Sequence, residues 1–540
     1  MPHLKKPTPP CRGPPEAGCG TQWSNGGKSR NPERAVAQRN VSRVSQKVNG
    51  RAIRTFVLKS TVQKAQHRLN PGKIIVLNQK VCYIHSMNFK NPFVIIFIAG
   101  TLFKFLLDTI LEFIDYKFRQ KHGLEIPQEL EGLVDEPTLK KTCAYENANY
   151  FSGIPYSLLS LALTFALVFS LYFVFCYEKG LSIANGNSYL TILLFALFVS
   201  IPSVILSIPF ELYDEFKIEK KFGFSNMTLG MWLLDQVKSL AIGLVLGVPL
   251  LLVAVALMNH IEHWWFFLGS VYIAFSLAVS YIYPVLIAPI FNKFTPLEDG
   301  ELRERLFALL EKCGFKASGI FVMDASRRSS HSNAYFTGFG KNKRIVLYDT
   351  LLKQLSTDEI EAVLGHELGH FKKHHIIKRM CVTFPLIFAF LFAAWLLIKI
   401  PSLYSGFGFT DFGFAGSTGS TLLSASNTGS TLATGSTTAI PATLQYVGIY
   451  LLSLIFGGFS PIFSLVSNTF SRRDEFEADK FSVTTCGSSK ALISALIKLN
   501  KENLSEIQVP TIYSIFNYSH PPLLERINAI KACKKYSIYS

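Results

Sequence analysis

Seven apolar runs, each near the roughly 20 residues that a helix needs to cross a bilayer, dominate this chain of 540 residues. They lie at approximately 92–114, 156–176, 189–210, 237–258, 264–287, 382–400 and 445–467. In hydrocarbon every backbone N–H and C=O must be paired within its own segment or a closed barrel, so runs of this length demand helices. The expected fold class is mainly α: a polytopic membrane protein with seven transmembrane helices. Composition agrees, at 49% hydrophobic and 17% charged.

The first run is the least pure. Lys104, Asp108 and Glu112 recur every fourth residue and so share one face of a helix. Inside a bilayer such a stripe is expected to face a protein interior or a water-filled cavity. The competing reading is an amphipathic helix lying outside the membrane.

The formal charge of +17 suggests a nucleic-acid partner until it is located. Nearly all of it sits in residues 1–90, where many Lys and Arg face only Glu16 and Glu33. The remainder is close to neutral, and no nucleic-acid partner is expected. Residues 1–86 read as a basic, disordered extension: an acid-poor targeting segment, or sequence upstream of a start at Met87. Nine Cys without a CxxC pair imply neither a disulfide framework nor a cysteine metal site.

Lys and Arg set the expected orientation. Basic residues crowd the first, third and fifth connections, including Lys117, Arg119, Lys140 and Lys141, then Lys217, Lys220 and Lys221. Those connections and the C-terminus are expected on the cytosolic side. The sixth connection, 401–443, repeats "GST" and is too poor in apolar residues to fold, so a flexible insertion is expected.

Residues 288–381 form the largest soluble segment. "GELRERLFALLEKCGF" (300–315) has helical periodicity. "NAYFTGFGKNKRIVLYDTLL" (333–352) reads as two strands around a Gly-containing turn. "STDEIEAVLGHELGHF" then opens a helix, with Ser356 and Glu359 spaced as a capping box. On that helix His366 and His370 project from one face, one turn apart, and can share a metal ion. Glu367 is placed to take a proton from a water on that ion. His374 continues the stripe, but three donors along one helix spread over about 12 Å, too far for bonds of about 2 Å. The third ligand must come from another helix. "SRRDEFEADKF" (471–481), just past the seventh run, offers Glu475 and Asp479 on one helical face. That spacing suits a ligand carboxylate and a second carboxylate that orients a bound imidazole. Asp474 and Glu477 compete, but neither has an acidic partner four residues on.

Taken together, "GHELGHFKKHH", "SRRDEFEAD" and "YSHPPLLERI" (518–527), in that order with seven spans, resemble the CAAX prenyl protease 1 family. "ELYDEFKIEKKFGFSN" (211–226) and "LIAPIFNKFTPLEDG" (286–300) are similar to it too. The resemblance runs from about Met87 to about Ile530. It implies an integral-membrane zinc endopeptidase of the endoplasmic reticulum, with seven helices enclosing a chamber and a small α+β metalloprotease domain. It implies one Zn2+ per chain on His366, His370 and Glu475, with Glu367 as general base and Asp479 and Arg526 behind the ligands. His520 would stabilise the oxyanion, Arg526 would lie near it, and Asn333 and Ala334 would bind the substrate backbone. Expected substrates are prenylated (farnesylated) C-terminal peptides or proteins, which lose their last three residues. A prenyl chain needs the lipid bilayer while hydrolysis needs water, and a centre at the edge of a membrane chamber meets both demands. The rival readings are a membrane protease that clears misfolded or stalled proteins, and a transport protein with a structural zinc. The sequence carries no signal for an oligomeric state.

Overall fold

A computed structural model describes residues 88–337, 343–409 and 440–537. The basic extension and most of the Gly/Ser/Thr-rich connection, 410–439, lie outside the described residues.

The membrane part opens with α1 (Pro92–His122), whose N-cap Asn91 accepts from the Phe93 N–H and whose first position is a proline. It continues through α2 (Glu136–Phe169), α3 (Tyr172–Ile183), α4 (Ser188–Tyr213), α5 (Leu229–His260) and α6 (Trp264–Ile282). The second apolar run departs from expectation. Its helix starts at Glu136 and stops at Phe169, because Leu171 takes a left-handed φ of 58° and redirects the chain into α3. Hydropathy marks the apolar stretch and is blind both to the polar helical turns before it and to the break inside it. Val237, Leu240, Val245 and Ile205 are all exposed on these helices. Such a surface is stable in lipid, not in water. The polar stripe of α1 turns inward. Lys104 pairs with Asp108 at 2.5 Å, and Glu112 accepts from the Tyr513 hydroxyl at 3.1 Å. Glu112 also lines a cavity of about 570 Å³ with Asp115, Arg119 and Glu146.

The described residues of the soluble part hold a four-stranded sheet, two longer helices and a short one at Asp349–Gln354. The strands are β1 (Phe294–Pro296), β2 (Gly319–Met323), β3 (Ala334–Thr337) and β4 (Arg344–Tyr348). Their order is β1-β2-β4-β3, with β2 and β4 parallel and both outer strands antiparallel to their neighbours. As an edge strand, β3 leaves one side of its ladder without a partner strand among the described residues. Helices α7 (Glu301–Lys312) and α8 (Thr357–Lys372) cover the sheet, burying Leu306, Leu309, Ile345, Leu347, Ile360, Leu364 and Leu368 in one core.

The sixth span is α9 (His375–Leu397), which begins earlier than its apolar run and directly after α8. His374 makes the corner, with a left-handed φ of 56°. The seventh run is divided. Helix α10 (Ala442–Gly457) and helix α11 (Ser460–Cys486) meet at a 68° bend. The described residues thus hold six helices long and apolar enough to cross a membrane, or seven if the bent pair counts as one. The bend sits at Gly458, where a Cβ would overlap the Gly100 carbonyl of α1. Glycine is what lets the two backbones approach there. Beyond α11 come α12 (Ser489–Glu502), a short helix at Thr511–Asn517, and α13 (Leu523–Ser537).

Candidate metal centre

The capping box at Ser356 and Glu359 fixes where α8 starts, and so which way every later side chain points. Glu359 is anchored a second time, accepting from Ser494 Oγ at 2.6 Å and Lys498 Nζ at 2.8 Å on α12. Ile360, Leu364 and Leu368 recur every fourth residue and face the sheet core. His366 and His370 stand two positions beyond Leu364 and Leu368, about 200° round the helix, on the opposite face. That face packs on α11. The packing is close because Gly365 and Gly369 lie against it: a Cβ on Gly369 would stand 2.8 Å from Ala478 Cα, and one on Gly365 would stand 2.5 Å from Cys486 Sγ.

The contact brings three donors together. His366 Nε2 and His370 Nε2 are 3.2 Å apart, and the Glu475 carboxylate spans them, with Oε2 3.3 Å from the first and Oε1 3.3 Å from the second. A tetrahedral ion with bonds of about 2.0 Å keeps its donors about 3.3 Å apart. Glu475 Oε2 is buried and has no hydrogen-bond partner, so its lone pairs are aimed at the common centre instead. Among the described residues these three form the one His, Cys, Asp or Glu group whose donor atoms could hold a metal ion. Two facing imidazole lone pairs repel unless a proton or a cation stands between them. Without a cation the proton is favoured: burial opposes charge on His366, but the Asp479 and Glu475 carboxylates beside it outweigh that and raise its pKa to about 9.

Behind His366, Nδ1 donates to Asp479 Oδ1 at 2.8 Å. This leaves the Nε2 lone pair free to ligate. Arg526 grips Asp479 with two bonds, Nε to Oδ2 at 2.9 Å and Nη2 to Oδ1 at 2.6 Å. Arg526 therefore supports the ligand His366 through Asp479. His370 has a different partner: its Nδ1 is 3.0 Å from His375 Nδ1. The sequence reading gave His375 no part. It lies five residues past His370, off the four-residue stripe, and only the corner at His374 swings it behind the ligand. His374 itself does not join the three donors.

Glu367 lines a cavity of about 670 Å³ together with His370, Glu475, His520, Phe336 and Thr337. Burial raises its pKa above the usual carboxylate range, opposed by the neighbouring His366 and His370. His520 Nε2 stands 3.4 Å from Glu475 Oε1 at the cavity mouth. Three bonds strap its segment to α11: Asn468 Nδ2 donates to the Phe516 carbonyl at 2.7 Å, Arg472 Nη2 to Glu525 at 2.6 Å, and Arg472 Nη1 to Ser514 Oγ. Asn333 and Ala334 sit at the start of β3, whose far end, Phe336 and Thr337, reaches the cavity wall.

Comparison with known proteins gives this arrangement a lineage. Residues 115–293 match the family described as CAAX prenyl protease N-terminal, five membrane helices. Residues 296–534 match peptidase family M48. CAAX prenyl protease 1 of Saccharomyces cerevisiae is 33% identical over 455 residues, covering 81% of this chain and 95% of that protein. The chain belongs to the CAAX prenyl protease 1 family. Its Arabidopsis thaliana homolog is 35% identical over 460 residues, covering 81% of this chain and 97% of that one. A crystal structure of S. mikatae Ste24p superposes with a TM-score of 0.70 at 30% identity, over 81% of this chain and 99% of that chain. The family places this chain among multi-pass membrane metalloendopeptidases, and the three converging donors suit the metal ion that such an activity requires.

Proposed function

We propose that this protein is a zinc endopeptidase of the endoplasmic reticulum membrane that removes the three residues following a prenylated cysteine. The observation that carries the reading is the convergence of His366, His370 and the Glu475 carboxylate, whose nearest donor atoms stand 3.2–3.3 Å apart, a spacing that suits tetrahedral zinc, beside a cavity that also holds Glu367 and His520. The relatives' name, CAAX prenyl protease 1, supplies the substrate class. Zinc bound there, one ion per chain, would acidify a coordinated water and polarise the scissile carbonyl.

The chain's own residues do the rest. Glu367 accepts the water's proton and passes it to the leaving amine. His520 donates from Nε2 to the developing oxyanion. Asp479, held by Arg526, keeps His366 in the ligating tautomer. The open side of β3, entered at Asn333 and Ala334, pairs with the extended backbone of the substrate. Lys and Arg in the odd connections support a cytosolic side for this centre and the C-terminus.

The deciding assay compares purified wild type and Glu367→Gln on matched farnesylated and unprenylated peptides, with and without chelator. Wild type is expected to cleave the farnesylated peptide in a chelator-sensitive way. Glu367→Gln should lose about 10²- to 10⁴-fold in rate. Equal cleavage by the two proteins refutes the mechanism, and equal cleavage of the two peptides turns the reading towards general proteolysis.

A further inference from the structure

The two imidazoles at the centre are backed differently. His366 leans on a carboxylate directly, whereas His370 leans on another imidazole. That second imidazole, His375, is almost wholly buried, at 1% exposure. Its far nitrogen, Nε2, lies 3.3 Å from Glu477 Oε2 and 3.6 Å from Asp474 Oδ1 on α11.

Only one assignment of protons satisfies every atom in this row while leaving His370 able to ligate. A carboxylate accepts, so His375 Nε2 must carry hydrogen. A neutral His375 then presents a lone pair at Nδ1. His370 Nδ1 must donate to that lone pair, which fixes the His370 lone pair at Nε2, the atom turned towards Glu475 and His366.

We infer that His375 is a positioning residue that sets the tautomer and ring angle of His370, and that Glu477 with Asp474 hold His375 in the accepting state. The inference rests on the zinc reading of the site. It gives a reason for a buried histidine one residue past a left-handed corner: the φ of 56° at His374 is what turns His375 back against His370. It also gives the α11 carboxylates divided work. Glu475 faces the ion, Asp479 backs one imidazole, and Glu477 backs the other through an intermediary.

The test is zinc affinity, measured by competition with a chromophoric chelator, together with the visible spectrum of the Co2+-substituted protein. His375→Leu keeps an apolar filling but removes the acceptor. Its zinc dissociation constant should rise about 10- to 100-fold, the usual cost of losing an outer partner of a ligating histidine, and the Co2+ bands should shift. His375→Asn returns an acceptor oxygen near the position of Nδ1 and should recover most of that loss, which a purely space-filling role would not do. Glu477→Gln should weaken zinc in the same direction, by less, since Asp474 remains. His374→Asn, which tolerates the left-handed corner, should match wild type in both readouts. If wild type itself binds no zinc, the metal reading falls. If wild type binds zinc and His375→Leu binds it equally with unchanged Co2+ bands, the positioning role falls alone. Should His375→Leu fail to fold, the Asn and Gln variants decide: an Asn variant that folds yet loses zinc while Glu477→Gln has no effect overturns the inference.

Discussion

Gly369→Ala tests whether helix contact, and not the motif by itself, makes the metal centre. In an exposed helix this change stabilises by about 1 kcal/mol, because alanine loses less chain entropy than glycine. Here the new Cβ would stand 2.8 Å from Ala478 Cα and 3.1 Å from the Ala478 carbonyl oxygen. The carbon contact is about 0.7 Å short of the ~3.5 Å at which two carbons pack. Both neighbours are backbone, so no side chain can swing aside, and the strain is of the order of 1–3 kcal/mol. Clash outweighs propensity. The cheapest relief is for α8 and α11 to separate, yet metal bonds tolerate only about 0.2 Å. Moving Glu475 away from the histidines by even half the overlap breaks the triangle. Gly369→Ala should therefore fold, span the membrane and lose zinc affinity by at least 10-fold, with cleavage of a farnesylated peptide falling in step. Gly365→Ala meets the tip of a side chain at Cys486 Sγ, and combining it with Cys486→Ala should restore much of what it loses. A Gly369→Ala protein with unaltered zinc affinity would refute the argument that close helix approach positions Glu475.

Zinc affinity should climb with pH, since the ion must displace the proton that His366 holds up to about pH 9. Below that pH each unit should cost roughly tenfold, so titrations at pH 6 and pH 8 should differ about 100-fold, and a flat profile would contradict the proton-filled centre. The same raised pKa stabilises the metal-free fold fully below His366's unfolded value of about 6.5 and progressively less towards about 9, so chelated protein should melt lower at pH 9 than at pH 6. Arg526→Lys keeps the charge but loses the two-pronged grip on Asp479. Zinc affinity or kcat/KM should fall by about 10- to 100-fold, and a wild-type value for both would remove Arg526 from the support of His366. Gly458→Ala should destabilise the detergent-solubilised protein by about 1–3 kcal/mol through overlap with Gly100, read as a lower Tm.

The membrane architecture was legible because hydrocarbon imposes length and polarity on whole segments. What hydropathy could not reveal were the places where a backbone turns within an apolar run, at Leu171 and at Gly458. The turn at Gly458 depends on what another helix allows, as the approach of Gly100 shows, and the turn at Leu171 is a single left-handed residue that hydropathy does not mark. At the centre, spacing alone pointed to His366, Glu367 and His370, and ruled out a third ligand on the same helix. Glu475 and Asp479 stood out by their four-residue interval, a periodicity that survives in α11. His375 gave no periodic signal, since a left-handed residue resets the helical phase between it and His370. Arg526 was visible as part of a motif, but its grip on Asp479 spans 47 positions and belongs to tertiary structure.

The bend in the seventh run explains how one chain can serve hydrocarbon and water at adjoining points. A straight helix from Ala442 onward would carry Glu475 about 50 Å along its axis, far beyond an apolar layer of about 30 Å. The 68° turn shortens that reach and lays α11 across α8 instead of leaving it upright. Its N-terminal half remains apolar and exposed, with Ile462, Phe463, Val466 and Phe470, while its C-terminal half buries Glu475 and Asp479 against the histidines. Lipid-facing and metal-facing surfaces are thus two ends of one rigid helix. A substrate whose hydrocarbon chain stays near the first end can bring a peptide bond to the second without leaving the membrane boundary. Inserting seven residues between Phe470 and Glu475, close to two full turns, would keep each side chain within about 20° of its present facing but shift the carboxylates by about 10.5 Å. That insertion should abolish the metal centre while leaving the spans intact, the combination expected if the distance along α11 sets the geometry.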